Sequence, residues 1–216
     1  MRYYIGADLG TSALKLLLVD SCGEIVKTVT RTYPVQYPQP AWSEQSPEDW
    51  WSAFVLGVKE LTNEIDSSQI KGIGVGGQMH GLVVLDKDDN VIRPAILWND
   101  GRTDKETAYL NEVIGQEKLS QLTANIAFAG FTAPKLLWLK NNEPENFAKI
   151  IIFCTFVDKI IKFFINEGER NTKISGVTTI YLGTYCVHRF VLRTLPFYIS
   201  AILVGCVVYH LRVATF

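Results

Sequence analysis

Residues 3–20 read YYIGADLGTSALKLLLVD, and the apolar runs and turn residues of this segment are the basis for predicting the fold. Two apolar runs, residues 3–8 and 14–20, are the right length for strands, and Gly10, Thr11 and Ser12 between them are typical turn residues. A second turn follows at residues 21–24, and residues 25–33 alternate like a third strand. The pattern predicts a three-stranded antiparallel meander at the start of an α/β domain.

The first turn is also a candidate phosphate site. A Gly-Thr-Ser turn offers backbone amides and two hydroxyls to phosphate oxygens, and Gly10 permits close approach of a ligand. Lys15 adds a positive charge, and Asp8 can hold a metal ion through water. On spacing alone, an ordinary hairpin with polar turn residues is the favoured interpretation.

The rest of the first 150 residues also fits an α/β domain. Ser46 followed by Pro47 and two acids predicts a helix start, and Trp50, Phe54 and Leu61 follow near helical spacing. Residues 70–76 are a strand candidate, and residues 82–86 and 91–95 flank the turn KDDN as a predicted hairpin. Further helices are expected at residues 102–114, at residues 134–139 with Thr132 as cap, and at residues 156–165.

Gly72, Gly74 and Gly77 satisfy a G-x-G-x-x-G pattern. That pattern needs a following helix to bind a dinucleotide, whereas residues 82–85 read as a strand, so we reject a dinucleotide site. The glycines instead bring Gln78 and His80 to the mouth of a cleft, where both can exchange hydrogen bonds with hydroxyl-rich ligands. A satisfied structural histidine is the competing interpretation.

A third candidate is the segment LWNDGR at residues 97–102. Asn99, Asp100 and an arginine beside a tryptophan are common where sugars bind. The same residues are equally common in a loop that precedes a helix, with Asp100 near its N-terminus.

The overall composition excludes several classes of protein. The chain has 216 residues, 48% of them apolar, and a net charge of −1, which argues against a nucleic-acid partner. None of the four cysteines forms a C-x-x-C pair, and Cys154 is expected in the core. With no apolar leader at the start, a cytoplasmic location is expected.

Taken in order, these segments resemble the FGGY carbohydrate kinases and, within that family, the xylulose kinases. DLGTS at residues 8–12 is similar to the family's phosphate-binding hairpin, and AWSEQ at 41–45 to its Trp-x-Glu-Gln stretch. GQMHG at 77–81, RPAILWNDGR at 93–102 and GFTAPKLLW at 130–138 resemble successive landmarks of the xylulose kinases. After residue 150 the likeness loosens to DKI at 158–160 and to Gly168 with Glu169.

The resemblance implies a ribonuclease-H-like lobe of the actin and hexokinase type, with a mixed five-stranded sheet and flanking helices, over residues 1–182. It implies ATP-dependent phosphorylation of D-xylulose with Mg²⁺. The phosphates and the metal would then face Asp8, Gly10, Thr11, Ser12 and Lys15. The sugar would contact Gln78, Met79, His80, Asn99 and Asp100. The base that accepts the sugar proton would be an aspartate of a second lobe that also holds adenine.

The last part of the chain differs in composition, since residues 170–216 contain no acidic residue. We expect residues 183–216 to be an apolar tail, produced by out-of-frame translation, on a truncated and inactive kinase fragment that can associate as a homodimer. The alternatives are a non-catalytic sugar-binding lobe, a kinase for another pentulose or polyol, and a protein anchored in the membrane by this tail. The tail is borderline in length for a span and has a proline near its start, which argues against a membrane anchor.

Overall fold

The structure, a computed structural model, describes residues 1–154 and the backbone of Tyr181–Leu182. Its main sheet has five strands in the order β3-β2-β1-β5-β9. These strands are β1 (Tyr3–Leu9), β2 (Ala13–Asp20), β3 (Ile25–Thr32), β5 (Ile70–Gly77) and β9 (Tyr181–Leu182). The first three pair antiparallel, and β5 runs parallel to both β1 and β9. The predicted meander and the mixed five-stranded sheet are confirmed.

One face of this sheet carries the core. In β1, Ile5, Ala7 and Leu9 are buried while Asp8 is exposed, because successive side chains of a strand point to opposite faces. Helix α1 (Pro47–Leu61) covers the buried face with Trp50, Phe54 and Leu61, the spacing seen in the sequence. The exposed face therefore presents Asp8 to solvent or to a ligand.

Close contact between α1 and the sheet depends on a glycine. A Cβ atom on Gly57 would lie 2.5 Å from the Leu16 side chain. Ser46 is the N-cap residue of α1 as predicted, but its hydroxyl donates to Glu48 Oε2 rather than to the helix backbone.

The predicted hairpin around residues 87–90 is only partly present. Its turn is closed by a bond from the Asp86 amide to the Asn90 carbonyl, but the second arm makes a single bridge, Val91 to Leu85. Strand β6 (Val83–Leu85) pairs instead with β8 (Ile152–Cys154). Two short strands, β4 (Glu44–Gln45) and β7 (Ala95–Ile96), pair with each other.

The remaining described helices lie beyond β7. They are α2 (Asp104–Tyr109), a π-helical turn (Leu110–Gly115), α3 (Gln116–Thr123), α4 (Thr132–Asn142) and α5 (Pro144–Lys149). The first begins two residues later than expected. The Arg102 amide instead donates to Asp100 Oδ1 before the helix starts.

The prediction that Thr132 caps the next helix is wrong. Phe131 is the N-cap residue of α4, and the Thr132 hydroxyl lies 3.5 Å from the His80 carbonyl. Cys154 is buried in the core as predicted.

Within residues 1–154, no helix is long and apolar enough to cross a membrane. The predictions for residues 156–165, 158–160, 168–169 and the tail at 183–216 lie outside the described residues.

Candidate active site

The turn between β1 and β2 has its carbonyl groups turned toward the protein. Each carbonyl oxygen of residues 9–12 accepts a hydrogen bond from another part of the chain. The donors, at 2.6–3.2 Å, are the Gln78 amide, the Tyr33 hydroxyl, the Gln45 side chain and the Tyr33 amide. In the described part of the chain the amides of Thr11 and Ser12 donate to nothing. The turn therefore offers amide donors, the groups that bind phosphate oxygens.

The buried side chain of Gln45 anchors this turn by hydrogen bonds. It is 1% exposed and uses its whole amide, donating to the carbonyls of Thr11 and Pro34 and accepting from Trp50 Nε1. Because α1 supplies Trp50, the turn is tied to the helix that covers the core.

Asp8 and Lys15 lie beside the turn on the open face. They are register partners across β1 and β2, and Gly76 is the partner of Asp8 on the other side. Among the described residues the Asp8 carboxylate makes no hydrogen bond or ion pair. Its charge, after burial, raises the pKa of the Tyr33 phenol, which therefore keeps its proton and donates to the Gly10 carbonyl.

A chain of side-chain hydrogen bonds leads from this turn to the segment after β5. The Trp98 indole donates to Thr11 Oγ1 over 3.1 Å, and the Thr11 hydroxyl donates to Gln78 Oε1 over 3.4 Å. The side-chain oxygen of Gln78 is thus used as an acceptor. Its side-chain nitrogen, Nε2, is a buried donor that has no partner within residues 1–154. A ligand hydroxyl or phosphate oxygen can fill that role.

His80 is the central residue of a tight turn next to Gln78. The Gly81 amide donates to the Met79 carbonyl over 2.8 Å, and His80 has a φ of 60°. A three-residue turn with positive φ is rare and strained for a residue with a Cβ atom. The imidazole stacks on Phe131 at 4.1 Å between ring centroids, and burial followed by the Lys135 charge lowers its pKa. A neutral imidazole can both donate to and accept from a sugar hydroxyl.

The side chains around this turn are open to solvent. Met79 is 51% exposed and Trp98 49% exposed. Asn99 is also exposed, but the cleft of about 410 Å³ that it lines with residues 37–43 includes none of Gln78, Met79 and His80. These groups are accessible to a small polar ligand.

Asp100 lies below the surface of the site. It is 2% exposed, and its carboxylate accepts from the Ser43 amide and from Arg102 Nε and Nη2. Arg102 Nη2 also pairs with Glu44 Oε1 at 2.7 Å, and its guanidinium lies 3.7 Å from the centre of the Trp42 ring. The structure therefore separates the buried Asp100 from the exposed Asn99, its neighbour in the sequence.

The donor groups fit a nucleotide phosphate and its metal ion. The free amides of the turn and the Lys15 ammonium suit phosphate oxygens, and Asp8 supplies one accessible carboxylate. In the described residues no three His, Cys, Asp or Glu side chains cluster as a metal cage. A single carboxylate suits Mg²⁺, which keeps several of its waters and is commonly shared with substrate phosphates.

Lys135 contributes to this site and was not anticipated from the sequence. It is 0% exposed, and Nζ donates to the carbonyls of His80 at 2.8 Å and Gly130 at 2.6 Å. Burial lowers its pKa to about 7. A signal was present, since Lys135 is the one charged residue in the apolar helical run of residues 134–139.

The fold is that of one lobe of the actin and hexokinase class. Residues 3–180 match the N-terminal domain of the FGGY family of carbohydrate kinases. The chain therefore belongs to this family.

Xylulose kinases are among its similar relatives. The chain is 46% identical over 147 residues to the xylulose kinase of Escherichia coli (strain K12), covering 68% of this chain and 30% of that protein. It is 43% identical over 190 residues to that of Bacillus subtilis (strain 168), covering 87% of this chain and 37% of that protein. A solved structure, described as a xyloylose kinase from Brucella ovis, matches with a TM-score of 0.70 and 41% identity, over 74% of this chain and 34% of that one. The chain thus spans about a third of the length of these relatives, and the predicted fold class is confirmed.

Proposed function

We propose that this chain forms the sugar-facing and phosphate-facing wall of the site in which the γ-phosphoryl group of ATP is transferred to a hydroxyl of D-xylulose, with Mg²⁺. One observation carries the proposal: the Thr11 hydroxyl joins the phosphate-binding turn to Gln78 in the sugar-binding segment. A kinase needs these two subsites in contact, because the acceptor hydroxyl must reach the phosphorus atom.

The residues divide by their position in the site. The amides of Thr11 and Ser12 and the Lys15 ammonium bind phosphate oxygens, Gly10 leaves room for them, and Asp8 holds the hydrated metal ion. A Cβ atom on Gly10 would lie 3.0 Å from the Ala13 carbonyl, so the turn favours glycine there. ATP with its metal supplies the phosphoryl group and neutralises the charge that develops during transfer.

The sugar subsite consists of hydrogen-bonding groups around an exposed edge. Gln78 Nε2 and the neutral His80 imidazole bind hydroxyls, while Met79 and Asn99 contact the sugar from the open side. The buried Asp100 acts indirectly, because its carboxylate accepts hydrogen bonds from Arg102 and from the Ser43 amide.

A second candidate function is sugar binding without turnover. The carboxylates at this site, within the described residues, are Asp8 and Asp100, and Asp100 is fully occupied by Arg102 and Ser43. Because Asp8 is assigned to the metal ion and Asp100 is already occupied, neither carboxylate is left to accept the hydroxyl proton, a step that the reaction requires.

The deciding experiment uses the purified 216-residue chain. ADP release is followed with D-xylulose, ATP and Mg²⁺, and D-xylulose binding is measured separately by calorimetry. Release of ADP that requires D-xylulose supports the kinase function, and binding without release supports the second candidate. Absence of both from a folded chain contradicts both.

Substitution at the two subsites tests the assignment of residues. Asp8→Asn should leave D-xylulose binding unchanged and abolish any Mg²⁺-dependent nucleotide binding. His80→Ala should abolish D-xylulose binding and leave any Mg²⁺-dependent nucleotide binding unchanged. D-ribulose and glycerol, added as competitors, test whether another pentulose or a polyol is preferred. The cytoplasmic location, the homodimer and the boundary between residues 182 and 183 stay predictions.

A further inference from the structure

The His80 turn needs an external anchor. A non-glycine residue at a φ of 60° in a three-residue turn is strained, and such a conformation persists only where its surroundings hold it. The contact that fixes it is made at its own backbone, since the His80 carbonyl oxygen accepts from Lys135 Nζ over 2.8 Å.

Lys135 joins that turn to the start of α4. The same ammonium donates to the Gly130 carbonyl, and Gly130 in turn lies against the backbone of Trp98, where an added Cβ atom would be 2.4 Å from the Trp98 carbonyl oxygen. Phe131, the next residue, stacks on the His80 ring. One buried side chain thus fixes the relative position of His80, Phe131 and Trp98.

The burial of Lys135 is otherwise difficult to explain. A fully buried lysine costs free energy, and an apolar side chain would fill the same space at less cost. Its proximity to Asp100 favours the charged form, while Arg102 opposes it. The groups that Lys135 does bind directly are two carbonyls that border the sugar subsite.

We infer that Lys135 is a positioning residue that holds the His80 turn in its strained conformation and so aims the imidazole into the sugar subsite. The inference rests on the proposed function only for the identity of the ligand. The position of the His80 ring can be tested without any ligand.

The test compares Lys135→Met with the parent 216-residue chain. Imidazole ¹⁵N and ¹H shifts of His80 are recorded across pH and assigned by their loss in a His80→Gln chain. We expect altered ring shifts and a raised His80 pKa, because the neighbouring cation is gone. D-xylulose affinity should weaken by about tenfold, which corresponds to the loss of about one hydrogen bond.

Two control variants separate positioning from general destabilisation. Leu139→Ala creates a cavity at a fully buried position on the same helix, and Lys140→Met removes an exposed lysine beside it. Both should leave the His80 shifts and pKa as in the parent. Lys135→Leu, which also removes every donor at this position, is the second variant and decides the question by the same readout if Lys135→Met does not fold.

A folded Lys135 variant with parental His80 shifts and pKa would overturn the inference, as would Leu139→Ala reproducing the changes of Lys135→Met. If the parent chain does not bind D-xylulose, the proposed function fails. The His80 readout still decides the role of Lys135.

Discussion

The Trp98 indole donates a hydrogen bond to the Thr11 hydroxyl over 3.1 Å, although the two residues are 87 positions apart in the chain. The Thr11 hydroxyl in turn donates a hydrogen bond to Gln78 Oε1. One hydroxyl therefore connects three segments: the turn after β1, the segment after β5 and the segment after β7.

Thr11→Val should break this connection while keeping the shape of the side chain. It leaves the Trp98 indole without its acceptor and Gln78 Oε1 without its donor, so unfolding free energy should fall by about 1 kcal/mol in urea titrations. D-xylulose binding should weaken by about fivefold. Thr30→Val is the matched control, because Thr30 is exposed on β3 and should change neither quantity. Equal losses in the two variants would show that the hydroxyl makes no special contribution.

The sequence was sufficient for strands β1, β2, β3 and β5 of the main sheet because their signals are local, whereas no local pattern predicted β9 at residues 181–182. The Gly-Thr-Ser turn between two apolar runs predicted β1 and β2, and the serine and proline before Trp50 predicted the start of α1. The pairing of residues 91–95 as the second arm of a hairpin was predicted wrongly because it depends on a contact that is distant in the sequence. Ala95 pairs with Gln45 in β4, and such a long-range contact cannot be predicted from the local sequence pattern.

The sequence proposed the residues of the candidate site but could not give the contacts between them. Asp8, Gln78 and His80 stood in segments of recognisable composition. The Thr11–Gln78 bond spans 67 positions and the Lys135–His80 bond spans 55, so both depend on how the chain folds back on itself. For the same reason, the sequence did not reveal that Asp100 faces Arg102 rather than solvent.

Glu44→Gln should be among the most destabilising single changes in the described part of the chain. Its carboxylate pairs with both Arg93 and Arg102, whose side chains are 9% and 1% exposed. Loss of the negative charge leaves two buried cations with reduced compensation, and breaking a buried pair in this way costs about 3 kcal/mol.

Glu60→Gln provides the control for that prediction. Glu60 pairs with Arg31 at the surface, where both side chains are more than a third exposed. Such pairs contribute about 0.5 kcal/mol. Chemical denaturation of the two variants should therefore differ severalfold in the change of unfolding free energy, and similar changes would argue against burial as the cause.

Gly130→Ala should destabilise the junction between the two sugar-facing segments. The new Cβ atom would lie 2.4 Å from the Trp98 carbonyl oxygen, a backbone atom that cannot move away freely. Overpacking of this kind costs about 2 kcal/mol. Gly74→Ala is the matched control, because a Cβ atom there meets no atom of the described residues within 4 Å. Thermal melts should show a large loss for the first variant and a small change for the second, and the reverse order would contradict the close approach of Gly130 to Trp98.

The stability of the lobe should rise with pH above neutrality because of Lys135. Its pKa is lowered from 10.5 to about 7 by burial, with Asp100 opposing the change and Arg102 adding to it. Between these values the unfolded chain keeps the proton that the folded chain has released, so unfolding free energy increases with pH. One such group contributes a slope of at most about 1.4 kcal/mol per pH unit.

Lys135→Met isolates this contribution from the tyrosines and other groups that titrate at alkaline pH. Urea unfolding of parent and variant should be compared at intervals from pH 6 to pH 10. The unfolding free energy of the parent minus that of the variant should become more positive as pH rises above about 7. Only the parent has the titrating lysine and gains stability from it. A constant difference across the range would mean that Lys135 keeps an ordinary pKa in the folded chain, and that its ammonium donates to the His80 and Gly130 carbonyls as a full cation.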